Sequence, residues 1–145
     1  MKRINISPTD LSKFFWNKIL ENSFIKSEIY KKDFFSKIDS LEKLRLESEY
    51  NTGSISSTSS WLLYSLVIFF KPKTIIEIGS FIGKSTISMA LGADDYIDEH
   101  KCEIFCCDMS NDIKLPKLSK TKITQFNKTK SIDMLKNLDG NMSFD

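Results

Sequence analysis

The residues with the clearest chemical potential lie between Thr74 and Met89, in the stretch TIIEIGSFIGKSTISM. Its apolar, β-branched start predicts a strand over Thr74–Ile78 that is buried on both faces. The glycines that follow predict a tight turn, and the residues from Lys84 to Leu91 predict a helix. A strand, a glycine turn and a helix N-terminus in this order form a site for a nucleotide-like ligand at the carboxyl end of a parallel strand.

The acid of this stretch precedes its glycines, at Glu77. A carboxylate there can attract an ammonium group, directly or through water. The helix N-terminus at Gly83, Lys84 and Ser85 offers free N–H groups and partial positive charge to a carboxylate. Gly79 has no Cβ, so a ligand can approach its backbone closely. An amino acid joined to a nucleoside, such as S-adenosylmethionine, fits this arrangement better than a dinucleotide or ATP.

A second acid stands at the expected position for ribose. The segment Glu103–Cys107 predicts a second strand, which Asp108 closes. An acid at the tip of the second strand can accept both ribose hydroxyls, as in dinucleotide-binding folds. A strand–turn–helix with a solvated strand-end acid would carry the same residues without a ligand, and this structural alternative stays open.

The segment Glu77–Ser85 resembles the first motif of class I S-adenosylmethionine-dependent methyltransferases. It is most similar to the small-molecule O-methyltransferase branch, whose pattern is Glu-x-Gly-x-x-x-Gly-x-Ser. The resemblance extends over residues 50–145 and implies methyl transfer to a small-molecule acceptor. The residues that it implies for cofactor binding are Glu77, Gly79, Ser80, Phe81, Gly83, Ser85, Asp108 and Ser131.

Two of these residues also have simpler interpretations. The resemblance places Ser131 near the adenine, but a serine that opens a helix is commonly an N-cap. Phe81 stands where related enzymes often carry an aromatic residue. It is a wall of the site or a cation–π partner of the sulfonium, a contact worth about 0.5–2 kcal/mol.

The same resemblance implies that the chain is incomplete as an enzyme. In the resembling methyltransferases a fourth strand ends in an acid, and the following segment supplies metal ligands or catalytic groups. Here Phe144 and Asp145 match only the start of that strand. The resemblance therefore implies the cofactor-binding half of a methyltransferase, and neither a catalytic residue nor a metal ligand is assigned.

A P-loop is the rival interpretation of Gly83-Lys84-Ser85. That loop requires four residues between its glycines, whereas Gly79 and Gly83 are separated by three. Glu77 would also repel a phosphate. The dinucleotide fingerprint Gly-x-Gly-x-x-Gly is absent as well, so both nucleotide alternatives rank below S-adenosylmethionine.

Alternating helices and strands predict a Rossmann-like parallel α/β sheet with flanking helices, incomplete, and preceded by a helical segment. We divide the chain into a helical N-terminal segment, residues 1–50, and a truncated S-adenosylmethionine-binding domain, residues 51–145. Gly92 is the expected C-cap of the helix that follows the turn. The other predicted elements are helices over 7–22, 31–48 and 58–70, a strand over Lys122–Phe126 and a helix over Ser131–Leu138.

Composition and charge indicate which classes of partner and which cellular compartment to expect. The 145 residues are 41% hydrophobic and 28% charged with a net charge of +2, which does not indicate nucleic-acid binding. The start of the chain lacks a secretory signal, and its longest apolar run is too short to cross a bilayer.

The cysteines Cys102, Cys106 and Cys107 indicate reduced thiols in a cytoplasmic protein. Strand alternation puts Cys106 and Cys107 on opposite faces, which favours core thiols over a metal site.

Two classes of function remain. One is a methyltransferase that uses S-adenosylmethionine. The other is a non-catalytic binding or interaction module, because an incomplete sheet exposes an edge on which another chain, including a second copy, can pair.

Overall fold

The computed structural model describes residues 13, 17–18, 27–47, 53–95, 101–108, 118–127 and 131–139. In the predicted first helix, 7–22, the described residues 13, 17 and 18 are helical. The rest of that helix lies outside the described residues, as does the predicted start of a fourth strand.

Two helices with described bounds lie between the helical residues 13, 17 and 18 and the sheet. Helix α1 spans Glu28–Leu46, beside the predicted bounds of 31–48, and buries Phe34 and Ile38. Helix α2 spans Ser57–Phe70, and the side chain of its N-cap, Ser56, accepts a hydrogen bond from the backbone N–H of Ser59. It ends at Lys71, in the left-handed region before Pro72, as the sequence predicts.

Among the described residues, three parallel strands form the sheet in the order β1-β2-β3. Strand β1 spans Thr74–Ile78, β2 Cys102–Asp108 and β3 Thr121–Asn127. The first strand has the predicted bounds, and the other two extend one residue further at each end. The Rossmann-like parallel sheet with flanking helices is thereby confirmed.

Helices cover the two faces of the sheet unequally. Helix α3, Lys84–Asp95, packs with α1, α2 and β2 around a large apolar cluster. Helix α4, Ser131–Asp139, covers the other face, where Met134 and Leu138 pack with Cys107 in a small cluster. Cys106 belongs to the large cluster, so the two neighbouring cysteines point to opposite faces as predicted.

The prediction that β1 is buried on both faces is wrong. Ile76 is 39% exposed and Ile78 is 57% exposed, while Ile75 packs against the large cluster. The reason is the strand order: β1 lies at an edge of the described sheet, and α4 covers the second face at β2. Composition alone therefore misread a half-covered edge strand as a central one.

Gly92 is not a C-cap, because α3 continues to Asp95. A Cβ placed on Gly92 would lie 2.6 Å from the carbonyl oxygen of Tyr64 in α2. This glycine therefore permits two helices to approach closely rather than ending one of them.

Helix α1 shares its core with the rest of the fold. Its buried residues Phe34 and Ile38 belong to the same apolar cluster as α2, α3 and β2. The division of the chain at residue 50 stays a prediction. Among the described helices, none combines the length and the apolar character needed to cross a membrane.

Candidate functional site

The connection from β1 to α3 is a tight turn with three residues in the left-handed region. Gly79 has φ 84°, Phe81 φ 49° and Gly83 φ 79°. The turn is tied to the neighbouring strand, because the backbone N–H groups of Gly79 and Ser80 donate to the carbonyl of Cys107 over 2.9 and 3.2 Å. The predicted strand, glycine turn and helix are thus all present at the carboxyl end of β1.

Open space lies directly beside Gly79. A Cβ built on this residue meets none of the described atoms within 4 Å. The positive φ explains why a glycine stands here, since other residues adopt this conformation at a cost. The turn therefore presents a bare backbone to an empty volume at the end of the strand.

Asp108 reaches this turn from the end of β2. Its Oδ2 accepts a hydrogen bond of 2.7 Å from the backbone N–H of Phe81. A left-handed non-glycine residue costs about 1–2 kcal/mol, and a charge-assisted hydrogen bond offsets part of that cost. Asp108 therefore holds Phe81 in place, a role that the sequence did not reveal.

Glu77 is engaged by the start of α3. One carboxylate oxygen accepts a hydrogen bond from the hydroxyl of Ser85 and the other from that of Thr86. Burial raises the pKa of Glu77, the two hydroxyls oppose that shift, and the nearby charge of Asp108 adds to it. Glu77 thus fixes the helix start to the strand, and the binding of cofactor by Glu77 and Ser85 stays a prediction.

The remaining predicted residues are placed differently. Gly83 is buried, and its backbone N–H donates to the carbonyl of Ser80 over 2.7 Å. The side chain of Ser80 is buried beside the thiol of Cys106, so it faces the core. Ser131 is the first residue of α4, which packs on β2, and its contact with adenine stays a prediction.

The start of α3 and the segment before α2 each carry hydrogen-bonding groups that lack a described acceptor or partner. The first bond of the α3 ladder runs from the N–H of Ile87 to the carbonyl of Gly83 over 2.8 Å. The N–H groups of Lys84, Ser85 and Thr86 therefore precede the ladder and have no acceptor within the helix. Ser54 adds a buried hydroxyl oxygen that has no hydrogen-bond partner among the described residues. These groups can bind an anion such as a carboxylate.

Lys84 is the residue that sequence reasoning missed. Its side chain is 1% exposed, and its ammonium pairs with Glu42 of α1 and donates to the carbonyl of Ile55 over 3.0 Å. A P-loop lysine would reach toward a phosphate at the turn, whereas this one is directed to α1, which argues against the P-loop alternative. The position of Lys84 beside apolar residues of a helix was the only local sign that its ammonium is buried. The sequence could not identify its partner, because Glu42 lies 42 positions upstream.

The cysteines show no sign of a reactive or metal-binding role. All three are free and buried, and burial raises the pKa of Cys102 and of Cys106 to about 11. Thiols with such values stay protonated near neutral pH and are poor nucleophiles and ligands. Among the residues that the structure describes, no cluster of three or more His, Cys, Asp or Glu could hold a metal ion.

Comparisons with known proteins give matches among solved structures alone. No family model matches the chain, and no curated protein matches it. Among solved structures, the chain is similar to the SAH-bound methyltransferase PaMTH1 of Podospora anserina, with 16% sequence identity and a TM-score of 0.46. The match covers 87% of this chain and 53% of that one, so the chain spans about half the length of that methyltransferase.

Proposed function

We propose that this chain binds S-adenosylmethionine and forms the cofactor-binding part of a methyltransferase that acts on a small-molecule acceptor. The observation that carries the proposal is the tight turn between β1 and α3, in which Gly79 adopts a positive φ and a Cβ built on it meets none of the described atoms within 4 Å. An acid at the end of β1 precedes this turn, and the donor groups of α3 follow it. A zwitterionic amino acid attached to a nucleoside has complementary charges for both. The similarity of the Glu77–Ser85 motif to the O-methyltransferase branch supports the acceptor class.

Each end of the cofactor has a candidate partner. The N–H groups at the start of α3 and the Ser54 hydroxyl suit the carboxylate. Asp108, at the tip of β2, suits the ribose hydroxyls. Glu77 suits the ammonium through its negative charge, although both of its oxygens already accept hydroxyl hydrogen bonds.

When bound, S-adenosylmethionine supplies an electrophilic methyl group on its sulfonium. The described residues of this chain position that cofactor, and we assign no catalytic residue among them. We also place the protein in the cytoplasm, a proposal that its three free cysteines support.

Isothermal titration calorimetry with S-adenosylhomocysteine tests the ligand. We expect a saturable heat of binding with this compound and none with ATP or NAD. Saturable binding of ATP with no response to S-adenosylhomocysteine would replace the proposal with a nucleotide-binding function.

The substitution Gly79→Asp tests the location of the site. A charged side chain in the empty volume should lower the affinity for S-adenosylhomocysteine at least about a hundredfold, equivalent to about 2.7 kcal/mol. Gly79→Asn is the matched control, because Asn has nearly the same shape and also tolerates a positive φ. It should bind more weakly than the parent and more tightly than Gly79→Asp. Unchanged affinity in Gly79→Asp would remove the turn from the site.

A second candidate function is an interaction module, which the exposure of Ile76 and Ile78 on the edge strand β1 favours. Pairing of that edge with a second copy would make a homo-oligomer. Sedimentation velocity over a range of protein concentrations tests it: a stable dimer that Ile78→Lys dissociates supports the module, and a concentration-independent monomer contradicts it.

A further inference from the structure

We propose that Lys84 is a positioning residue that couples helix α1 to the cofactor turn. In this inference, which rests on the proposed function, the ion pair between Lys84 and Glu42 makes the docking of α1 and the binding of cofactor favour each other.

The first step is the placement of the ammonium. Lys84 is the first residue of α3 and directly follows the turn, and its buried side chain is directed to α1. It pairs with Glu42 of α1, and it donates to the carbonyl of Ile55 over 3.0 Å and to the Ser57 hydroxyl over 3.5 Å. A buried ammonium is tolerated only where it is paired. Lys84 therefore joins α1 and the segment before α2 to the start of α3.

The second step is the segment that Lys84 holds. Residues 53–56 precede α2, and we call them the α2 entry loop. On its other side this loop lies against the turn, because a Cβ on Gly53 would come within 2.9 Å of the Phe81 ring. The loop also carries the buried Ser54 hydroxyl oxygen that is unpartnered among the described residues. It is thus held between the Lys84 ammonium and the Phe81 ring.

The third step is the anion on α1. Arg45 donates to both carboxylate oxygens of Glu42, over 3.0 and 2.6 Å. The hydrogen bonds from Arg45, together with those from Lys84, lower the pKa of Glu42 to about 2, so it remains ionised. The C-terminal half of α1 therefore presents a fixed negative charge to Lys84.

These contacts form one connected path from Glu42 through Lys84 and the α2 entry loop to Phe81. If docking of α1 holds the loop in its binding arrangement, linkage requires that bound cofactor favour the docked α1 by the same factor. The N-terminal helical segment would then respond to cofactor occupancy although Glu42 does not belong to the turn.

A double-mutant cycle on S-adenosylhomocysteine affinity tests the coupling. Lys84→Met keeps the length of the side chain without its charge, and Glu42→Gln keeps the shape of the carboxylate. We expect each single variant to bind about tenfold more weakly, within the usual range of coupling. The double variant should also bind about tenfold more weakly, because both substitutions remove the same interaction.

Lys37→Met is the matched control. Lys37 is a lysine of α1 itself, and its ammonium pairs with Asp33 over 2.6 Å and with Asp95 over 3.8 Å rather than with Glu42. The affinity of Lys37→Met for S-adenosylhomocysteine should stay within about twofold of that of the parent protein. Losses that multiply to about a hundredfold in the Lys84→Met, Glu42→Gln double variant would overturn the coupling, since independent effects add in free energy.

Hydrogen exchange supplies a readout that a merely structural lysine would not change. S-adenosylhomocysteine should slow amide exchange in residues 39–46 of the parent protein and of Lys37→Met, but not in Glu42→Gln. Equal ligand-induced protection in Glu42→Gln would overturn the inference even if Lys84→Met does not fold. Absence of binding by the parent protein is a different result, because it ends the proposed function itself.

Discussion

The two faces of the sheet are filled to very different degrees. On one face, three helices enclose a large cluster that includes Phe34, Tyr64 and Ile104. On the other, α4 buries Met134 and Leu138 against Cys107, while Ile76 and Ile78 of β1 stay exposed. We infer that the filled face supplies most of the folding free energy, since apolar burial contributes about 25 cal/mol per Å².

The candidate site is built on the filled face. Ser85 and Thr86, which hold Glu77, belong to α3, and Lys84 connects the same helix to α1. The backbone of β2 also holds the turn, through the carbonyl of Cys107. The comparison therefore shows that the side chains that hold the start of α3 lie on the filled face. Substitutions on the two faces should differ in their effects on stability and on the geometry of the turn.

The largest effect is expected for Phe34→Ala on the filled face. Phe34 is fully buried, and its ring centroid lies 4.6 Å from that of Tyr64 and 5.3 Å from that of Trp61. Loss of this ring should lower the free energy of unfolding by about 3–5 kcal/mol in urea titrations. Ile29→Ala, at an exposed position of the same helix, is the control and should change it by less than about 0.5 kcal/mol. Equal losses would contradict the assignment of Phe34 to the buried core of the filled face.

An intermediate, pH-dependent effect is expected for Glu77→Gln. Burial raises the pKa of folded Glu77 above the value of 4.5 for an exposed glutamate. Between pH 4.5 and this raised pKa, the folded state therefore binds more protons than the unfolded state. The contribution of Glu77 to stability is therefore fully present below pH 4.5 and is lost as the pH rises through the folded pKa. Because Gln does not titrate, the stability of Glu77→Gln at each pH is the reference against which the contribution of Glu77 is measured.

Paired urea titrations at a series of pH values measure this difference. Relative to Glu77→Gln, the parent protein should lose stability as the pH rises from 4.5. A parent protein that gains stability relative to the variant over that range would show that hydrogen bonds from Ser85 and Thr86 outweigh burial.

The smallest effect is expected for Ile78→Thr on the open face. Thr keeps the β-branch that strands favour, and Ile78 is already exposed, so the free energy of unfolding should change by less than about 0.5 kcal/mol. Ile75→Thr on the filled side of the same strand is the matched control, with an expected loss of about 1–3 kcal/mol for a buried hydroxyl. A large loss in Ile78→Thr that depends on protein concentration would indicate that a second copy covers this face.

The local elements were predictable because their signals are local. The alternation of apolar segments placed α2 and β1, and the glycine spacing placed the turn. The position of Asp108 after the second strand was sufficient to bring it to the turn, since parallel strands end at the same edge of a sheet.

The features that sequence did not reveal depend on distant neighbours. Exposure of Ile78 follows from the strand order, which the composition of β1 does not encode. The pairing of Lys84 with Glu42 joins residues far apart in the chain, and no periodicity connects them. The role of Gly92 required the position of a carbonyl on another helix.

The close approach at Gly92 has a consequence for the site. Because a Cβ there would lie 2.6 Å from the carbonyl oxygen of Tyr64, even a methyl group would act as a wedge between α2 and α3. Both helices begin beside the turn, one at Ser57 and the other at Lys84. A change in the spacing of the two helices at Gly92 would therefore alter how their first residues are placed around the turn, so Gly92 influences the shape of the turn from a distance.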